Sequence, residues 1–149
     1  MAENLVEPSR IFPTLRYRDA PAMIAWLADA FGFTEHVVYP GPDGTIAHAE
    51  LALGPAMIML GSARDDKFGA MVGAPIGPEG PGAQGNGQAI YVAIDDPDAL
   101  CARAEAAGAK ILMGLTDTDY GSRDFICRDP EGYVWCFGTY WPKAHEPAS

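Results

Sequence analysis

One supersecondary pattern occurs twice in this chain, and that repeat restricts the fold more than any other feature. Each copy reads strand, helix, strand, strand, strand over about 55 residues, too short a piece to bury a core alone. In the first copy, residues 11–18 read as a strand with Pro13 near its beginning. A helix follows, with Asp19 as N-cap, Pro21 in the first turn and Gly32 as the stop. Within it Met23, Trp26, Leu27 and Ala30 recur at helical spacing. Strands are predicted at 34–39, 46–53 and 56–60, with turns at 40–44 and 54–55. The second copy has a strand at 88–94, a helix over 97–107 entered through Asp95, Asp96 and Pro97, and a strand at 110–115. Gly108 closes this helix as Gly32 closes the first. Between the copies lies a Gly- and Pro-rich linker of residues 64–87, and its part from 69 onwards reads as a linker or a mobile flap.

The second copy ends in a hairpin. Asp129, Pro130, Glu131 and Gly132 have the chemistry of a type I turn: Asp accepts backbone hydrogen bonds, Pro presets φ, and Gly tolerates the exit conformation. The flanks, 125–127 and 133–137, are aromatic, β-branched and apolar. Strand alternation sends Trp135 and Phe137 to one face, and Val134, Cys136 and Gly138 to the other. The first face is bulky and core-like; the second is small and mixed, like a cavity wall. Trp26, Trp135 and Phe137 are expected to be buried.

Composition narrows the function. The chain has 149 residues, is 48% hydrophobic and 20% charged, and carries a net charge of −10. That is an ordinary globular composition. The acidic balance argues against a nucleic-acid partner, which is held through Lys and Arg. It suits solubility, and also the steering of a cationic ligand. No apolar run reaches the length of a membrane span, and the first residues lack the basic start and apolar run of a signal peptide, so a cytoplasmic location is expected. Cys101, Cys127 and Cys136 have no metal-type spacing. With the hairpin paired across a simple turn, Cys127 and Cys136 are diagonal neighbours about 7–8 Å apart. That is too far for a disulfide, so reduced thiols are expected.

Three motifs in order carry a resemblance: Leu15, Arg16, Tyr17, Arg18 and Asp19 leading into the first helix; Gly54 to Leu60 closing the first copy; and Asp129 to Gly132 before the last strand. With the doubled unit, they make residues 9–142 similar to the glyoxalase/bleomycin-resistance/dioxygenase superfamily, also called vicinal oxygen chelate proteins. The resemblance implies an α+β fold in a single domain spanning 1–149. Two βαβββ modules, about 9–63 and 88–142, would form a cupped mixed sheet with helices on the convex face. Leu15, Tyr17, Ile58, Leu60, Ile90, Val92, Ile94, Trp135 and Phe137 would pack under the helices.

The concave face would bind the ligand. On the first module it is expected to carry Phe12, Thr14, Arg16, His48, Glu50, Met57 and Met59. On the second it would carry Tyr91, Ala93, Arg123, Phe125, Val134 and Cys136. Of these, Phe12, Arg16, His48, Glu50, Met59, Tyr91, Arg123, Phe125 and Cys136 are the candidate ligand-binding residues. Arg123 could clamp a carboxylate or phosphate, or pair with a local acid such as Asp124 or Asp117. His48 and Glu50 could form a hydrogen-bonded pair, or Glu50 could pair with Arg16. A metal site with Cys136 as third ligand is a further arrangement, and on an exposed edge both residues would be solvated. Cys136 would be a nucleophile only with a lowered pKa.

Enzymes of the family place metal ligands on the first and last strands of each module. Those positions fall here on Phe12, Met59, Ala89 and Cys136, so no metal and no cofactor are expected. No catalytic residue is assigned. The resemblance then implies a protein that binds and sequesters a drug or metabolite, like the bleomycin-resistance branch, as a homodimer. The alternative is a glyoxalase-like lyase or isomerase, or a dioxygenase, using His48 and Glu50.

Overall fold

The computed structural model describes residues 9–75, 77–79 and 87–144. Two compact units divide the chain between Ala74 and Pro75. The first runs β1 (Thr14–Tyr17), α1 (Ala20–Phe31), β2 (Thr34–Pro40), β3 (Ile46–Leu53), β4 (Ala56–Ser62) and a short α2 (Lys67–Val72). The second runs β5 (Ile90–Ala93), α3 (Pro97–Ala106), β6 (Lys110–Asp117), β7 (Arg123–Arg128) and β8 (Val134–Gly138).

The two sheets share one topology, β1-β4-β3-β2 and β5-β8-β7-β6. In each, the first strand lies parallel to the last, and the remaining pairs are antiparallel. The parallel pair forces a crossover between first and last strands, and a helix lies in that crossover. This is the expected α+β arrangement of a doubled βαβββ unit.

Local chemistry explains both crossover helices. Asp19 accepts from the Ala22 N–H at 3.2 Å and Asp96 from the Ala99 N–H at 3.1 Å. Pro21 and Pro97 fill first-turn positions where a missing N–H costs nothing. Gly32, at φ 85°, ends α1. Met23, Ile24, Leu27, Ala30 and Phe31 form the buried stripe of α1, which packs on its sheet. Trp26 departs from expectation. It sits at the flank of that stripe, half-buried, with its ring edge-on to Phe31 at 5.0 Å between centroids.

The core faces of the sheets are largely as read from alternation. Leu15, Tyr17, Leu51, Ile58 and Leu60 are buried in the first unit, and Trp135 and Phe137 in the second. Ile90, Val92 and Ile94 are only half-buried, because β5 is a four-residue edge strand paired on one side alone.

The linker also differs. Its beginning forms α2, capped by Asp66, which accepts from the Gly69 N–H at 2.7 Å. Gly69, the first residue of the expected flap, is required by the tight capping turn: a Cβ there would strike the Arg64 carbonyl oxygen. Further on, Gly77 N–H donates to the Glu131 carbonyl at 3.0 Å, and Lys110 pairs with Glu79 at 2.7 Å. Residues 76 and 80–86 of the expected flap lie outside the described residues.

Candidate functional site

In the first unit, register fixes the mixed face. Thr14 lies beside Met59, and Met59 opposite Glu50; Arg16 lies beside Gly61. His48 Nε2 and Glu50 Oε2 are 2.9 Å apart, so of the expected arrangements the Glu–His pair is the one formed. Tyr39, across from His48 on β2, stacks on the imidazole at 6.1 Å between centroids. Arg16 turns to α2 rather than to Glu50. Its guanidinium lies 4.8 Å over the Phe68 ring and its Nη2 is 3.4 Å from Asp66. Asp66 is held below the usual carboxylate range, first by the Gly69 N–H and then by Arg16 and Arg64. Phe12 precedes β1 and is exposed.

In the second unit one residue of turn reverses an expectation. A simple type I turn would pair Phe125 with Cys136. Instead Gly132, at φ 106°, adds one residue to the loop, and Asp129 N–H reaches the Tyr133 carbonyl at 3.0 Å. This is a type I turn followed by a glycine bulge. Phe125 therefore pairs with Phe137, and Cys127 with Trp135. Directly opposite residues share a face, so a one-residue slip turns every β7 side chain over. Phe125 is fully buried, stacked on Phe137 at 5.1 Å, and is corrected from the mixed face to the core face.

Arg123 moves with it. On the helix-facing side its Nε is 2.8 Å from Asp98, at the start of α3, and its Nη1 is 3.1 Å from Asp117. Two carboxylates engage this guanidinium and raise its pKa further, so it is not placed to clamp a ligand anion. Cys127 and Cys136 end on opposite faces, and all three cysteines are free thiols.

The residue brought to the mixed face is Asp124, missed in the sequence because its parity was read the other way. It lies opposite Gly138, which lies beside Ala93. The Ser122 hydroxyl donates to Asp124 Oδ1 at 2.5 Å and accepts from the Tyr140 N–H at 3.0 Å. The Tyr91 hydroxyl donates to the Tyr140 carbonyl at 2.7 Å. Burial, then the Asp124 charge, pushes the Tyr91 phenol above its ordinary value. Cys136, beside Tyr91, is pushed up by burial and by Asp124, which disfavours a thiolate there.

Comparison with known proteins agrees with this architecture. The model of the glyoxalase/bleomycin resistance protein/dioxygenase superfamily matches residues 10–137. The chain belongs to this superfamily. An uncharacterized protein of Mycobacterium tuberculosis is 35% identical over 138 residues, which cover 93% of this chain and 77% of that relative. TioX from Micromonospora sp. ML1 has a TM-score of 0.65 at 29% identity, over 87% of this chain and 94% of TioX. UcmS2, at 13% identity, shares the fold with a TM-score of 0.67, over 90% of this chain and all of UcmS2 (100%).

The superfamily's metal positions can be tested against these residues. Phe12 and Ala89 have no donor atom, Met59 offers only a thioether, and Cys136 a thiol whose ionisation is disfavoured. A hard divalent ion needs oxygen or imidazole, so this set does not fit one. Among the described residues no three His, Cys, Asp or Glu side chains come together that could hold a metal ion. Nor is any helix long and apolar enough to cross a membrane, among those residues.

Proposed function

We propose that this protein binds a small organic molecule, a drug or metabolite, and sequesters it unchanged, in the manner of the bleomycin-resistance members of its superfamily. The observation that carries this reading is the donor set at the superfamily's metal positions, where Phe12, Met59, Ala89 and Cys136 stand. Without ligands for a Lewis acid, the fold retains a mixed apolar and polar face, which suits recognition. On the first module the contacts are Phe12, Arg16, Met59 and the His48–Glu50 pair; on the second they are Tyr91 and Cys136. Protein purified without chelator and screened against planar aromatic compounds should gain thermal stability with some of them. The bound compound should be recovered unaltered by mass spectrometry. Stoichiometric Zn, Ni, Mn or Fe in the purified protein, or a converted compound, would overturn the proposal.

A second reading rests on the 2.9 Å contact between His48 and Glu50. A carboxylate bonded to one ring nitrogen fixes the imidazole, as in general acid–base sites. That pair would then serve a glyoxalase-like lyase or isomerase. Turnover of an α-keto thiohemiacetal that disappears in His48→Gln would establish it; no turnover in the parent protein would exclude that substrate class.

A further inference from the structure

The turn that carries Arg123 and Phe125 to the helix side leaves a differently charged group in their place. Gly138 marks the spot. A Cβ at this position would collide with Asp124 Oδ1 and come within 2.7 Å of the Tyr91 hydroxyl oxygen. The carboxylate and the phenol therefore meet over a bare backbone. Both are held from behind: Ser122, itself buried, donates to Asp124, and Tyr91 donates to the Tyr140 carbonyl. Ser122 in turn receives the Tyr140 N–H.

The direction of these bonds decides the chemistry. The hydroxyl protons of Ser122 and Tyr91 are spent within the cluster, on a carboxylate and a carbonyl. What the cluster presents outward is acceptor oxygen and one negative charge. Around it stand aromatic rings: Tyr91 is 40% exposed, Tyr120 65% and Tyr140 53%, with Tyr120 and Tyr140 edge to face at 6.0 Å. Tyrosine faces attract cations. The nearest arginine in sequence, Arg123, is turned to Asp98 and Asp117.

We propose that Asp124, with Tyr91, Tyr120 and Tyr140 beside it, forms a subsite for the protonated amine of an aromatic or aliphatic ligand. The ammonium N–H groups donate to Asp124 and the Tyr91 oxygen, and the apolar part of the ligand lies against Tyr120 and Tyr140. The proposal rests on the sequestration reading only in taking the mixed face as the one that meets ligand.

A charge series tests it. Benzylamine, benzyl alcohol and benzoate are titrated into the intact protein at neutral pH, following backbone amide signals of residues 122–124 and 138–140 by NMR. Benzylamine is expected to bind at least tenfold more tightly than the alcohol, and benzoate not to bind. Asp124→Asn keeps an acceptor for Ser122 but removes the charge, and should weaken benzylamine tenfold or more while leaving the alcohol within twofold. Tyr120→Leu, an exposed change that spares the core, should weaken benzylamine several-fold and serves if the Asn variant does not fold. Equal binding of alcohol and amine, preferred binding of benzoate, no response to benzylamine in the millimolar range, or full affinity in both variants would overturn the subsite. A neutral compound that binds while benzylamine fails would leave sequestration standing. Chemical conversion of a bound amine would do the reverse.

Discussion

Asp129 is fully buried and accepts hydrogen bonds from the Glu131 and Tyr133 N–H groups at 3.0 and 3.1 Å, and from the Trp135 indole at 3.1 Å. One carboxylate thus shapes the turn and fixes the largest core side chain. Its two oxygens divide the work, Oδ1 to the backbone and Oδ2 to the indole. Asp129→Asn should therefore be costly, since its amide would turn a donor to either the indole or the backbone. A loss of about 2–4 kcal/mol is expected in urea unfolding, as for a buried charged acceptor left unmatched. The turn motif was legible in the sequence; its link to Trp135 was not, because an indole six residues away reaches the carboxylate only once the bulge is in place. Asp66 gives a pH prediction. Its carboxyl is lowered in the folded protein by the Gly69 N–H first and Arg16 next, so the folded state binds its proton less readily than the unfolded chain. The stabilisation is present above the ordinary carboxylate value of about 3.9 and is lost as pH falls through the lower folded value. Melting curves of parent and Asp66→Ala should differ at neutral pH and draw together as acidification carries the pH below the ordinary carboxylate value and through the lower folded one.

At the scale of elements, the helices were the most legible part. An Asp followed by Pro specifies where a helix begins through contacts within one turn, so no distant residue is needed to read it. Asp19→Ala and Asp96→Ala should each cost about 1 kcal/mol, measured by chemical denaturation. The hairpin shows the opposite case. Its strands and the burial of Trp135 and Phe137 were readable from alternation, and Trp135→Ala should cost about 3–5 kcal/mol. Its register was not, since one glycine in a left-handed conformation decides which face of β7 looks inward. Gly132→Ala places a Cβ on a φ of 106°, and should destabilise by about 1–2 kcal/mol. The signal was available in principle: a type I turn ending in glycine is the usual source of a bulged hairpin loop. α2 was hidden for a related reason. Six residues carry too little periodicity to stand out, and the helix depends on Asp66 and on Phe68 lying under Arg16.

For the whole molecule, the resemblance predicts a pair of chains. Light scattering on the purified protein should give twice the 15.8 kDa chain mass, and a monomer at micromolar concentration would overturn that expectation. The net charge of −10 acts at longer range. It should raise association rates of cationic ligands at low salt, an effect that fades once the screening length drops to about 8 Å at physiological ionic strength. The sequence by itself determined the repeated βαβββ order, the helix boundaries set by Asp, Pro and Gly, and which residue types, Phe12, Met59, Ala89 and Cys136, stand where the resemblance puts the family's metal ligands. These depend on residue identity and on neighbours a few positions away. Only the tertiary structure decided that Arg123 pairs with Asp98 and Asp117, that Phe125 belongs to the core, and that Asp124 meets Tyr91 above Gly138. Those outcomes follow from strand register, and alternation along one strand cannot fix the phase against its neighbour when a bulge inserts a residue between them.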